Sequence, residues 1–420
     1  MGIDKFAGAM LTHNYHNFVK TTGLLRCRRH IALALGLCGL MACSHTARLQ
    51  PPPGQSALPP PGDTHRFIPF NATAKPAGPT LGGDCVRDTR NGLIWELKSR
   101  QPGLQYRHNT YSWFRRDADD NGGFAGYLND GHCDGSRCDT EGYVNAINQR
   151  QLCGLSQWRL PSRAELTGLV DYRIHYPGPV LDQQAFSNAV AQFYWSATAD
   201  ANDKDSAWGI GFAFGYDYAY FKSDAVRVRL VHDPLPATAQ AAQGTPAART
   251  PLSAQALSTQ PRLQAVDIQH CQAAIKATAP VSRFLDQGDG TVVDGGTGLM
   301  WMRCALGQQW QHSQCTGKPL SVTVKAAHDA AATTRFAGHA DWRLPDISEL
   351  ASIAELGCEN PALDLRVFPG TAAVNFWSAT VFANDPRKQW LMQFLHGENL
   401  VDLNTLSAQT RLVRTYSGSQ

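Results

Sequence analysis

The sequence predicts an α+β protein built from two tandem copies of one domain, each with strands joined by turns and a few short helices. A Trp-Arg-Leu-Pro motif, followed four residues later by Glu-Leu, occurs at 158–166 and again at 342–350. An aromatic-Trp-Ser-Ala-Thr stretch occurs at 194–198 and 376–380, and beyond it the copies align without a gap. Alternation of apolar residues, as at 207–214, is typical of strands with one buried face. A duplicated domain explains all three observations.

The repeated motif predicts a junction between a strand and a helix. Proline ends the extended segment because it lacks an N–H group and biases the preceding residue away from the helical region. Ser162 or Asp346 then caps the helix, and a glutamate three residues later completes a capping box. We expect the glutamates to cap rather than to act as acid, base or metal ligand, and the arginines to pair with carboxylates of their own domain. The residues with this structural role are Trp158, Arg159, Pro161, Glu165, Trp342, Arg343, Pro345 and Glu349.

Length and composition favour folded domains over disorder. The chain has 420 residues, 43% hydrophobic residues and ten tryptophans, which suits two or three packed domains. The net charge is +3, but five basic residues and only one acidic residue lie in 1–42, so the remainder is nearly neutral. Neither domain has the basic excess of a nucleic-acid-binding protein.

Residues 1–43 have the form of an export signal. Arginines at 26, 28 and 29 precede an apolar run, 31–41, that is too short to span a bilayer. The final Leu-Met-Ala-Cys resembles the lipobox of bacterial lipoproteins. That resemblance implies that Cys43 is the lipidated first mature residue and that Ser44 directs sorting to the outer membrane. The alternative is an ordinary signal peptide that is cut nearby.

Composition divides the rest of the chain into four parts. Residues 44–80 are rich in proline and predict an extended stalk. Residues 81–233 form the first domain, 234–266 an Ala/Gln/Pro linker, and 267–416 the second domain. The first domain has about 22 additional residues in its middle, the size of a loop insertion.

The eight cysteines beyond residue 43 predict disulfides, four cysteines in each domain. Even numbers in an exported chain favour disulfides, although four cysteines allow three pairings and the sequence alone does not choose among them. Short loops favour two of the pairs and leave two longer ones. Zinc is the rival interpretation, but no Cys-x-x-Cys pair is present. The favoured pairs are Cys133–Cys138, Cys304–Cys315, Cys85–Cys153 and Cys271–Cys358.

A loop in the first domain resembles half of a calcium site. Asp117, Asp119 and Asn121 follow the Asp-x-Asp-x-Asn-Gly start of a calcium loop. The twelfth position is Leu128, where an EF-hand requires a bidentate glutamate. The alternative is a polar Asx-turn loop. Calcium is therefore the one cofactor that the sequence leaves open.

Tyr216, Asp217, Tyr218 and Tyr220 are the candidate ligand contacts. The tyrosines alternate, so they share one face of a strand, and we expect the stretch to form a hairpin tip where rings could stack on sugars. Core packing is the alternative for such aromatic residues. The corresponding residues of the second copy, 398–402, contain no tyrosine, so the copies are not expected to bind the same ligand.

The ordered motifs resemble the Lcl C-terminal domain family, named for the end domain of a bacterial collagen-like adhesin. The resemblance is carried by the Gly-rich opening at 286–301, the Trp-Arg-Leu-Pro-x-x-x-Glu-Leu core, the Trp-Ser-Ala-Thr strand and the closing Arg-Leu-Val. It covers most of the chain after residue 80 and implies an exported or surface protein. The family's namesake binds sulfated polysaccharides, which implies an adhesive role.

The Arg-Leu-Pro-x-x-x-Glu junction is also similar to that of C-type-lectin-like and formylglycine-generating-enzyme folds. This resemblance implies two tandem C-type-lectin-like domains with twisted antiparallel sheets. Those enzymes use a late pair of cysteines, whereas the last cysteine here is Cys358, within the predicted disulfides. No catalytic triad, Walker loop or zinc-protease motif is present.

We therefore expect a non-catalytic lipoprotein of the cell envelope that binds a glycan or a protein partner. Its N-terminal lipid would hold it on the outer membrane, facing the periplasm or the cell surface. One alternative is a structural scaffold subunit of an envelope assembly, and another is an enzyme related to the formylglycine-generating group. The sequence does not define the ligand or the oligomeric state.

Overall fold

Antiparallel strands form most of the regular structure in the residues that the computed structural model describes, 66–70, 84–235 and 269–417. The first copy contains strands β1 Phe67–Pro69, β2 Cys85–Asp88, β3 Ile94–Glu96, β4 Phe193–Ala199, β5 Ser206–Gly211, β6 Tyr216–Phe221 and β7 Val231–His232, and helices α1 Thr140–Arg150 and α2 Arg163–Thr167. The second contains β8 His270–Cys271, β9 Phe284–Asp286, β10 Thr291–Asp294, β11 Leu299–Met302, β12 Gln309–Gln311, β13 Gln314–Thr316, β14 Cys358–Glu359, β15 Asn375–Val381, β16 Lys388–Gln393, β17 Glu398–Leu403 and β18 Val413–Thr415, and helices α3 Val324–Thr333 and α4 Ile347–Ser352. The predicted antiparallel sheets with few short helices are confirmed.

Each copy contains the same two sheets. In the first copy the strand orders are β1-β2-β3-β7 and β4-β5-β6. In the second copy they are β9-β10-β11-β18 and β15-β16-β17, so every strand of these four sheets has a counterpart in the other copy. All of these strand pairs are antiparallel. Two small two-stranded sheets, β12-β13 and β8-β14, occur only in the second copy among the described residues.

The repeated motif forms the predicted strand-to-helix junction in both copies. The Ser162 hydroxyl accepts from the Glu165 N–H at 3.2 Å, and the Glu165 carboxylate accepts from the Ser162 N–H at 2.7 Å. Asp346 and Glu349 make the same two bonds, each at 2.8 Å. Two complete capping boxes therefore begin helices α2 and α4.

The tryptophans of the two motifs are equivalent core residues. Trp158 is 1% exposed and Trp342 is 3% exposed. Each indole N–H donates to a backbone carbonyl six residues earlier, that of Leu152 or Phe336, and both bonds measure 3.2 Å. The predicted burial and equivalence are confirmed.

All four predicted disulfides are present. Cys85 pairs with Cys153 and Cys133 with Cys138 in the first copy. In the second copy the pairs are Cys271–Cys358 and Cys304–Cys315. Each bond lies within one copy, so no disulfide joins the two copies in the described parts of the chain. Four disulfides indicate a protein that folds in an oxidising compartment outside the cytoplasm.

The predicted stalk was wrong for residues 66–70. Phe67–Pro69 pairs with β2, and both Phe67 and Phe70 are buried against the first domain, because aromatic residues at these positions can cover its apolar surface. The predicted signal with Cys43, the rest of the stalk and nearly all of the linker lie outside the described residues. No helix in the described ranges has the length and apolar character to cross a bilayer.

The two copies pack against each other within one compact unit. The segment that enters the second copy crosses onto the first: the Gly122 N–H donates to the Ala274 carbonyl at 2.7 Å, and the Lys276 N–H donates to Asp120 at 2.9 Å. Between them, Ile275 is buried in the core cluster of the first copy. Strand β6 of the first copy also lies against β17 of the second. The tandem domains therefore share a continuous interface.

Candidate binding surfaces

The predicted ligand residues lie in a strand rather than at a hairpin tip. Residues 216–221 form β6 and pair along their whole length with β5. The turn precedes them, because the Gly215 N–H bonds to the Gly211 carbonyl at 2.8 Å and Gly215 has a φ of 91°, which favours glycine. The predicted tip position was therefore wrong by several residues.

Asp217 is buried and is not available to a ligand. Its side chain lies on the opposite face of β6 from the tyrosines and pairs with the Arg163 guanidinium, whose Nε lies 2.7 Å away. Its other oxygen accepts from the Asn399 N–H of the second copy at 2.8 Å. Burial raises the pKa of Asp217, while Arg163 and the Asn399 N–H oppose that shift. The ligand assignment of this residue was wrong, since its carboxylate joins the two copies.

The three tyrosines of β6 differ in exposure. Tyr216 packs on Trp390 of the second copy, with ring centroids 4.8 Å apart. Tyr220 packs on Phe193 at 4.6 Å. Tyr218 is 50% exposed and presents an open ring. A ligand role for the tyrosines stays a prediction, and Tyr218 is the residue best placed for it.

Sequence reasoning missed a stacked aromatic pair beside β6. The rings of Tyr176 and Phe214 lie 4.5 Å apart and nearly parallel, at 8°, although they are 57% and 36% exposed. Phe214 also lies 6.1 Å from the Tyr216 ring. Tyr176, Phe214, Tyr216 and Tyr218 form what we call the aromatic row. Its only sequence signal was the apolar alternation that ends at Phe214; nothing marked Tyr176, which lies in a loop between helix α2 and strand β4.

The predicted calcium loop directs its side chains at its own backbone. Asp117 accepts from the Asp119 N–H at 3.2 Å, and Asn121 accepts from the Gly123 N–H at 2.9 Å. These are Asx-turn bonds, the alternative that the sequence offered. No cluster of three His, Cys, Asp or Glu side chains suited to a metal occurs in the described ranges. Calcium binding at this loop stays a prediction.

The carbonyls of this loop bind an ammonium group. The buried Lys222 Nζ donates to the carbonyls of Asn121, Phe124 and Lys204 at 2.8, 2.7 and 2.6 Å. The same ammonium lies 4.6 Å from the centre of the Trp113 ring, within the range of a cation–π interaction. Burial lowers the pKa of Lys222 to about 8. The Lys222 side chain thus holds the loop to the body of the first copy.

A cleft of about 500 Å³ lies between the copies, beside the first Trp-Arg-Leu-Pro motif. Five of its seven charged lining residues pair with each other: Arg115 with Asp120 at 2.6 Å, and Arg159 with Glu165 at 2.7 Å and Asp233 at 2.5 Å. Arg343 makes the equivalent pair with Glu349 in the second copy, and this bond raises the arginine pKa. The predicted structural role of both arginines is confirmed, and their charges are not free for a ligand.

Comparison with known proteins identifies the domain. The family model described as the Lcl C-terminal domain matches residues 84–232 and 290–414, one stretch in each copy. No curated protein and no solved structure matches the chain. Because the two stretches together cover more than half of the sequence and coincide with the two observed sheet pairs, the chain belongs to the Lcl C-terminal domain family, with two copies in tandem.

Proposed function

We propose that this protein is a non-catalytic binding protein of the cell envelope that recognises a glycan through the aromatic row. The observation that carries this proposal is the Tyr176–Phe214 stack, two large rings held side by side while much of each faces solvent. Exposed aromatic clusters commonly mark interaction sites. Rings present flat apolar faces with little loss of conformational entropy, which suits the C–H faces of sugars.

The loop that carries the stack is held in position. The Tyr176 N–H donates to the Asn384 side chain of the second copy at 2.8 Å, so both copies support one surface. Tyr216 continues the row onto Trp390. A rigid surface of this kind lowers the entropic cost of binding. The second copy has Glu398 and Leu400 where the first has Tyr216 and Tyr218, so the row belongs to the first copy.

The proposal includes an anchored location. The disulfides support exposure outside the cytoplasm, and the lipobox-like sequence at Cys43 supports a lipid anchor at the outer membrane. The C-type-lectin-like relationship of the domains belongs to the same proposal, as does an adhesive role. Radiolabelled palmitate incorporation, lost in Cys43→Ala, is the measurement for the anchor.

A glycan array with the full chain tests the binding function. Wild type is expected to bind a defined set of glycans, and Tyr218→Ala is expected to weaken binding at least tenfold, because it removes a ring of the row that is 50% exposed. Phe221→Ala is the matched control: Phe221 is 61% exposed on the same strand but at an odd position, on the face opposite Tyr218. Folded protein that binds no glycan, or equal loss in both variants, would contradict the proposal.

The enzyme alternative needs a reactive thiol. All eight cysteines in the described part of the chain form disulfides. Thiol titration of the folded mature protein is therefore expected to find none in either domain. A titrating thiol there would favour an activity of the formylglycine-generating type.

A further inference from the structure

Arg229 and Arg411 are equivalent buried arginines near the ends of the two copies. Each guanidinium lies over an equivalent ring, Arg229 at 4.7 Å from Phe186 and Arg411 at 4.6 Å from Phe368. One terminal nitrogen, Nη1, donates to a backbone carbonyl in each case. The acceptors are Glu96 at 2.5 Å and Met302 at 2.9 Å, which also occupy equivalent strand positions.

The second terminal nitrogen is where the copies differ. Nη2 of Arg411 donates to the Thr371 hydroxyl at 2.6 Å. The counterpart of Thr371 is Ala189, which has no hydroxyl. Within the part of the chain that the structure describes, nothing accepts from Nη2 of Arg229. Nε is buried without an acceptor in both arginines, so it does not distinguish the copies, and the difference between these otherwise matched sites lies at Nη2.

Arg229 and Ala189 both line a cavity of about 200 Å³. The remaining walls are mainly polar and include Ser99, Arg100 and Asn188. Asp84 is the one acidic residue of the lining. We call this space the Arg229 cavity. Its volume suits a molecule between acetate and a monosaccharide in size.

The charge around the cavity is unbalanced. Lys98 and Arg229 both lie beside the buried Glu96, but this carboxylate bonds Lys98 at 2.8 Å and the Leu230 N–H at 2.9 Å, not the guanidinium. Among the described residues Arg229 makes no ion pair, and Arg100 adds a second guanidinium to the lining. A buried cation favours an anionic partner.

We propose that the Arg229 cavity binds the carboxylate of a small organic acid. The planar guanidinium edge matches a carboxylate, which would take the position that the Thr371 hydroxyl has in the second copy. The site is distinct from the aromatic row and does not depend on glycan binding there. The first copy has Ala189 where the second has Thr371, which leaves this position beside Arg229 without a hydroxyl.

Calorimetric titration of the full chain with acetate, glucuronate and inorganic sulfate tests the proposal. Wild type is expected to bind the two carboxylates saturably. Ala189→Thr places the hydroxyl of the second copy beside Arg229 and is expected to weaken carboxylate binding at least tenfold. The second copy shows that the fold accepts threonine there. Ala191→Thr, the same change two residues away and outside the cavity lining, is the control and is expected to bind as wild type does.

Three outcomes would overturn the proposal. Absence of saturable carboxylate binding to folded wild type would remove the site. Unchanged affinity in Ala189→Thr would place any bound acid elsewhere. Binding of sulfate without either carboxylate would assign the cavity to tetrahedral anions instead.

Discussion

Asp346 and Ser162 cap equivalent helices, but only Asp346 has a side chain that titrates. Both accept a hydrogen bond from the N–H group three residues later. Burial, together with the nearby Glu349 carboxylate, raises the pKa of Asp346 to about 6. In an unfolded chain the same group titrates near 3.9. The folded state therefore favours protonated Asp346, and its contribution to stability is largest at low pH and is lost as the pH rises through about 6.

Asp346→Ser, which copies the cap of the first domain, tests this assignment. Serine does not titrate in this range. The free energy of unfolding of wild type, minus that of the variant, is therefore expected to fall as the pH rises from 4 to 7. Urea unfolding of both proteins at several pH values in that range measures the difference. A difference that does not change with pH would show that Asp346 titrates normally.

Trp158→Ala and Trp342→Ala are each expected to lower the free energy of unfolding by about 3–5 kcal/mol. The two losses should be similar, because both rings are buried and both indoles make the same hydrogen bond. Phe221→Ala, at a mostly exposed position, is the control and should change stability by less than about 0.5 kcal/mol. Denaturant unfolding measures all three. A large difference between the two tryptophans would mean that the copies are not equivalent at this position.

At the scale of elements, the sequence predicted what is decided locally. Capping boxes depend on residues three apart, and the short disulfides depend on short loops, so the junctions and Cys133–Cys138 were readable without a fold. Asp217 was misassigned because its partners, Arg163 and Asn399, are distant in sequence and one belongs to the other copy. The alternation of residues showed that the tyrosines share one face of β6, but it did not show whether other residues would cover that face.

The aromatic row and the Arg229 cavity were beyond sequence reasoning for the same reason. Tyr176 carries no pattern, because a loop residue has no periodicity to compare. The difference at Nη2 of Arg229 becomes evident only by comparison with the hydrogen bonds of Arg411, and this comparison requires the structure of both copies. Duplication then becomes informative, since one copy serves as the control for the other.

The disulfides are expected to differ in their contribution to stability. Cys271–Cys358 spans 87 residues and joins β8 to β14, whereas Cys304–Cys315 spans 11. Loop-closure entropy gives about 4–5 kcal/mol for the longer loop and about 3 kcal/mol for the shorter one. Replacing each pair with alanines and measuring denaturant unfolding tests this order. A greater loss for the short loop would show that strain or residual unfolded structure outweighs chain entropy.

At the scale of the whole molecule, a buried ion pair of the first copy accepts a hydrogen bond from the second copy. Arg163 and Asp217 are almost fully buried, and Asp217 reaches the Asn399 backbone of the second copy. The counterparts of Arg163 and Asp217 in the second copy are Ile347 and Asn399, so the charges are present on one side only. If the first copies of two chains associated through this surface, Asp217 of one would face Asp217 of the other, and the repulsion would disfavour that association. The interface thus favours association of unlike copies.

Asp217→Lys is expected to weaken this interface strongly. The change removes the carboxylate that accepts from the Asn399 N–H across the interface, and it places a lysine beside the buried Arg163. Removing one partner of a buried pair typically costs about 3–5 kcal/mol. Asp134→Lys makes the same charge change at an exposed position of the first copy and is the matched control.

The central claim, that two copies of one fold form a single unit, is tested most directly by cutting the chain between them. A specific protease site is introduced into the linker at 234–266, and the cleaved protein is passed through a size-exclusion column under non-reducing conditions. Because each disulfide between described residues lies within one copy, we expect only the non-covalent interface to hold the halves together. We predict co-elution at the mass of the intact unit for wild type and Asp134→Lys, and separation for Asp217→Lys. Separation of the wild-type halves at micromolar concentration would contradict the account.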